Sequence, residues 1–167
     1  MATAKKTPAK ASATAAAART DATALLQRDH AEVKKLFKQY EKLADAEADG
    51  AEREELAAQI CAMLTVHATI EEEIFYPAAR AAEVDADLLD EANVEHASAK
   101  DLISQIESMS PDDELYDAKV SVLGEYIDHH VQEEEGEMFP KCRKSEMDLA
   151  ALAEALAERK SELMAEA

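Results

Sequence analysis

With 37 Asp and Glu against 18 Lys and Arg, and a formal net charge of −19, this 167-residue chain is long enough for one domain with a real core but too acidic to grip a phosphate backbone. Nucleic acid is therefore excluded as a partner. Only 3 glycines and 4 prolines interrupt sequence rich in Ala, Glu and Leu, and no run of alternating β-branched residues appears, so the fold class is all-α.

No apolar run reaches the length of a membrane span, and the start lacks the apolar stretch of a secretory signal. A soluble, cytoplasmic protein with no membrane partner is expected. Cys61 and Cys142 are far apart and lack paired spacing, which predicts free thiols.

Residues 1–20 hold Lys5, Lys6, Lys10 and Arg19 and no acid. Nothing there builds an apolar face, so a disordered basic tail is expected. A first helix should run from Asp21 to Ala46, with Leu26, Val33, Phe37 and Tyr40 on the stripe that contains His30, and Asp49-Gly50 should end that arm. A second helix, Glu52 to Tyr76, carries Leu56, Ile60, Met63 and Ile74 on the His67 side, and Pro77 should stop or kink it.

A third helix from Asp87 to Met109 has the stripe Leu89, Ala92, His96, Ala99 and Ile103. Ser110-Pro111-Asp112-Asp113 reads as the capped start of a fourth, which carries Val120, Leu123, Tyr126 and Ile127 into His130 and is closed by Gly136 and Pro140. After a Ser145 cap, a fifth helix bearing Leu149, Leu152, Leu156 and Leu163 can pack back on the body or pair with a second copy. The expected organisation is a tail (1–20), an up-down four-helix bundle (21–142) and a C-terminal amphipathic helix (143–167).

The chain repeats itself. HATIEEEIFYP from His67 to Pro77 is echoed by HVQEEEGEMFP from His130 to Pro140, and the acid-His pair Asp29-His30 by Glu95-His96. This two-fold repeat of about 65 residues is too long and has too few copies for a solenoid. It suits two helical hairpins related by pseudo-symmetry. Midpoints between successive histidines fall at 48–49, 81–82 and 113, at or beside turn signals, so an antiparallel bundle brings all four to one level.

On a helix, Glu71 lies about 40° from His67, and Glu134 stands likewise to His130, whereas Glu72 and Glu73 are rotated toward solvent and Glu133 is a poorer choice. A register pairing His129 with Glu133 breaks the Pro140 alignment, which leaves His129 a supporting or surface role. The candidate metal ligands are His30, His67, Glu71, His96, His130 and Glu134.

Imidazole plus carboxylate on a four-helix frame is the donor chemistry of non-haem iron, with manganese or zinc open from donor type alone. Six protein ligands crowd one ion. Two ions fit better: one on His30 and His67, the other on His96 and His130, with Glu71 and Glu134 bridging. Asp29 and Glu95 either orient imidazoles of neighbouring helices or are exposed acids, which read the same in sequence.

Together these motifs, over residues 21 to 142, resemble the hemerythrin-like HHE cation-binding family. The resemblance implies an oxo- or hydroxo-bridged di-iron centre that binds O2 or related small molecules such as NO or peroxide, for sensing, scavenging or delivery. Catalase-like peroxide disproportionation, or iron storage or sensing, are the alternatives it leaves. Oxygen-carrying hemerythrins place a further histidine where this chain has Lys100. Tyr126, one turn before His130, is the candidate to complete the shell or to lie in the core beside it, with Met63 its counterpart in the first repeat.

Overall fold

The computed structural model describes residues 20–166. The expected basic tail lies, but for its last residue, outside the described residues. Helix α1 spans Ala22–Asp45, capped by the Asp21 carboxylate on the Ala24 N–H at 3.0 Å. Helix α2 spans Gly50–Ile70, continues through a π turn at Glu71–Phe75, and returns to α geometry in α3, Tyr76–Ala81. Helix α4 is Ala86–Glu107. Helix α5, Tyr116–Glu133, runs through a second π turn at Glu134–Met138 into α6, Phe139–Lys144, and α7 spans Leu149–Glu166.

Several sequence expectations shift. Asp49 and Gly50 do not end the first arm: Glu47, in the left-handed region at φ 51°, closes α1, with the Ala48 N–H on the Leu43 carbonyl at 2.9 Å, and Asp49 caps α2. Pro77 does not stop its helix, and Gly136 and Pro140 do not close theirs. Each proline follows a π turn whose i→i+5 bonding has already displaced the ladder, so the missing N–H and the ring are accommodated and the helix runs on.

Ser110 is not the cap of α5. Ser110 to Asp113 closes on itself through Asp113 N–H to the Ser110 carbonyl at 3.0 Å, and the helix starts at Tyr116. The cap of α7 is Asp148, which accepts from the Ala151 N–H at 3.1 Å, rather than Ser145.

The four long helices form the expected bundle, and α7 packs back on α1 and α2. Its Leu156 is fully buried, which contributes about 1.5–3 kcal/mol. The apolar core falls into two layers. One gathers Leu26, Ile70, Phe75, Leu89, Met138, Phe139 and Leu156; the other gathers Val33, Leu36, Ile60, Leu64, Ile103 and Leu123. On every long helix the histidine sits where one layer gives way to the other, so the polar side chains meet between two sealed apolar ends. Cys61 and Cys142 are free and buried, one in each layer, and burial pushes their thiols up to about 11 and about 12.

Candidate metal centre

All six residues singled out by spacing converge. His30 Nε2 lies 3.1 Å from His67 Nε2, and His96 Nε2 lies 3.1 Å from His130 Nε2. Glu71 stands between the two pairs, with Oε1 at 3.1 Å from His67 Nε2 and Oε2 at 3.2 Å from His96 Nε2. Glu134 does the same, with Oε2 at 3.2 Å from His30 Nε2 and Oε1 at 3.5 Å from His130 Nε2. Both glutamates are within 1% of full burial. The result is two adjacent poles, one gathering His30, His67, Glu71 and Glu134 and the other Glu71, His96 and His130, with Glu134 Oε1 at the edge of the second.

The outward nitrogens fix how those imidazoles point. Nδ1 of His30 meets Glu135 at 2.8 Å, that of His67 meets Asp29 at 3.2 Å, that of His96 meets Glu72 at 2.9 Å, and that of His130 meets Glu95 at 2.5 Å. A carboxylate accepts only, so each Nδ1 carries a hydrogen, and a ring that is neutral presents its lone pair at Nε2. With its rings in that neutral form, the His30–His67 pole is a ring of acceptors with nothing to accept from. Glu71 Oε1 and Glu134 Oε2, both at the His30–His67 pole, are buried without a hydrogen-bond partner. Groups so placed cost several kcal/mol unless a cation joins them. The donor set, its spacing and the two orphaned oxygens fit a pair of metal ions.

Protons partly fill that role in the protein alone. Burial pulls the His67 imidazole down, but the Glu71 charge and the bond to Asp29 overcome it and hold the ring up at about 10. At His130 burial is likewise overcome, by the Glu134 charge and the bond to Glu95, which hold the ring up at about 9. Burial raises Glu71, yet the His67 and His96 rings bring its carboxyl well below the usual range.

Tyr76 is the fully enclosed residue that spacing missed. Its hydroxyl donates to Glu134 Oε1 at 2.6 Å and lies 3.3 Å from Glu71 Oε2, 3.2 Å from His96 Nε2 and 3.5 Å from His130 Nε2, in the midst of the second pole. In an α-helix a residue five beyond Glu71 points about 140° away. The π turn brings it back: the Tyr76 N–H bonds the Glu71 carbonyl. Phe139 occupies the matching place after Glu134 and lies parallel to the His30 ring at 5.9 Å.

The repeat thus sets a phenol against one pole and a phenyl against the other. Burial, then the Glu134 and Glu71 charges, lifts the Tyr76 hydroxyl well above its usual range. Glu72, expected toward solvent, holds His96 for the same reason: the wider turn advances each residue by less than 100°. Glu135, which spacing did not single out, holds His30 from the second π turn.

Tyr126 is neither a candidate donor nor a core residue, being 51% exposed. His130 sits at the edge of its stripe, and Ile127 at about 60° continues that stripe on the flank opposite to Tyr126 at about 40°. His129 is 66% exposed between Glu95 and Glu133, a surface position.

A cavity of about 230 Å³ touches all four imidazoles and is walled by Val33, Leu64, Ala99, Ile103 and Ile127, with Met63 beside them. A larger groove of about 700 Å³ between α1 and α5 reaches only His30. Among the described residues no helix is long and apolar enough to cross a membrane.

The model of the hemerythrin HHE cation binding domain family matches residues 21–142. A protein named a DNA nickase, from Nostoc sp. (strain PCC 7120 / SAG 25.82 / UTEX 2576), is 30% identical over 121 residues, which cover 72% of this chain and 33% of that protein. The chain thus spans about a third of that relative. The crystal structure of a hemerythrin HHE cation binding domain-containing protein from Mycobacterium kansasii superposes with a TM-score of 0.72 at 25% identity, covering 87% of this chain and 88% of that one.

Proposed function

The chain belongs to the hemerythrin HHE cation-binding family, and from that premise we propose that it is a non-haem di-iron protein that binds O2, NO or peroxide for sensing, scavenging or delivery. His30 and His67 with Glu71 Oε1 and Glu134 Oε2 would hold one ion. His96 and His130 with the other two carboxylate oxygens would hold the second, and Tyr76 would be its fifth donor in place of Tyr126. Iron at these poles supplies a redox change and open positions for a small molecule.

The observation that carries this reading is the paired geometry: two Nε2 atoms facing each other at 3.1 Å at each pole, with every Nδ1 held from outside by a carboxylate. Manganese and zinc suit the donor types less completely, because a phenol beside paired imidazoles and carboxylates is a set that ferric iron favours.

The protein's own part is to hold, orient and exclude water. Asp29, Glu72, Glu95 and Glu135 keep the rings aimed inward, as outer partners do in metal sites. Val33, Leu64, Ala99, Ile103 and Ile127 shape a small apolar antechamber in which O2 or NO is favoured over bulkier or strongly hydrated molecules. The two buried thiols accord with a cytoplasmic setting.

A second reading, peroxide disproportionation, draws on one feature: both poles open on the same cavity, so two oxygens of one small molecule can be met at once. Iron storage has no such support, since among the described residues Glu71 and Glu134 are the buried acids and both belong to the two poles. The nicking named for the Nostoc relative is not carried over, because this chain matches a third of it and its acidic body repels DNA phosphates.

Iron-loaded protein should change its visible spectrum on NO or O2 in proportion to chain concentration, and peroxide with an oxygen electrode separates the readings. Oxygen release beyond a free-iron control favours the catalase-like enzyme. No spectral response to any of the three, at two irons per chain, would end the small-molecule reading.

A further inference from the structure

Of the four carboxylates that hold the imidazoles, Asp29 forms the longest bond, 3.2 Å to His67, and is itself only 12% exposed. Its other oxygen lies 2.5 Å from Lys160 Nζ on α7. The preceding residue, Arg159, forks onto Glu73 at 2.7 and 3.3 Å, and Glu73 sits in the π turn two residues beyond Glu71. One turn of α7 therefore grips, from outside, the supports of both donors that the second arm contributes.

We propose that α7 is a working part of the metal centre, with Lys160 a positioning residue that holds His67 through Asp29 and Arg159 steadying the turn that carries Glu71. Leu156, fully buried one turn earlier, sets the register of the helix against α1 and α2. Without the ammonium, Asp29 faces a long bond in an acidic protein and is drawn toward water, and His67 loses the acceptor that fixes its tautomer. Lys100 on α4 stands in the same relation to Glu72, at 2.6 and 2.8 Å, and so to His96. Each pole has one histidine backed in this way.

The inference rests on the di-iron reading, and the experiment keeps the two apart. Wild type, K160M and K160R are loaded with ferrous iron, and release to a coloured chelator is followed. Lys160 is 32% exposed, so substitution leaves the core intact.

K160M is expected to give up one of its two irons about tenfold faster than wild type, at the lower end of what a direct outer partner is worth. K160R, which keeps charge and reach, should return to within about twofold of wild type. R159Q should also speed release. Two irons leaving K160M at the wild-type rate, or K160R behaving as K160M does, would overturn the inference alone. A wild-type chain that takes up no iron would remove the metal-centre reading and this inference with it.

Discussion

Replacing Tyr76 by phenylalanine removes a single oxygen. In the metal-free protein that oxygen donates to a buried carboxylate at 2.6 Å and lies beside a second at 3.3 Å, so a charge-assisted bond is lost, worth about 1.5–3 kcal/mol. Glu134 Oε1 then joins Glu134 Oε2 as an oxygen without a hydrogen bond, which places the loss in the upper part of that range. At about 2–4 °C per kcal/mol for a chain of this size, the melting point of apo Y76F should fall by about 4–12 °C.

The ring itself stays, because Phe139 shows that a phenyl fits the matching place. In the ferric iron-loaded form the effect is spectroscopic: wild type should show a phenolate-to-iron absorption band that Y76F lacks, with weaker hold on one of two ions. Calorimetry and visible spectroscopy on the same preparations test both halves. An unchanged apo melting point, together with identical spectra, would refute the placing of the hydroxyl at the second pole.

Glu71→Ala removes an oxygen from both poles, so its iron content should fall below one per chain by elemental analysis, whereas His30→Ala should keep about one; equal losses would contradict the bridging role. For pH, the His67 and His130 rings are held up at about 10 and about 9, so their contribution to apo stability is complete below the ordinary value of about 6.5 and is lost as pH rises through 9 to 10. Glu71, held low, contributes above about 4.5 and loses its contribution as pH falls through its lowered value. Apo melting points should thus decline between about pH 7 and pH 10. Iron-loaded protein should resist that decline and release protons on loading at pH 7; parallel curves would count against the reading. His129→Ala should leave iron content and melting point within experimental error, since the ring is 66% exposed, and loss of an ion from this variant would revive the discarded register.

The six converging side chains were legible because α geometry puts residues four apart on one face, and because the chain states the pattern twice. The heights matched for the same reason: turns at 46–49, 82–85 and 108–115 lie on or beside the histidine midpoints. What escaped comes just after each His-x-x-x-Glu step. There the backbone adopts a π turn, and a rule of 100° per residue sends Tyr76 and Glu72 to the wrong face. It also singled out Tyr126, which a flank angle of about 40° leaves in water. The aromatic-proline pair that follows the acidic run in both repeats, Tyr76-Pro77 and Phe139-Pro140, was the available signal. A proline there reads as a stop or a kink, although it marks where an extra residue lets the helix continue.

Anomalous diffraction at the iron edge, on crystals of iron-loaded protein, addresses the centre itself. Two peaks are predicted per chain, one between His30 and His67 and one between His96 and His130, with Glu71 and Glu134 spanning them and the Tyr76 oxygen beside the second. A single peak, or density confined to Glu95, His129 and Glu133, would contradict it.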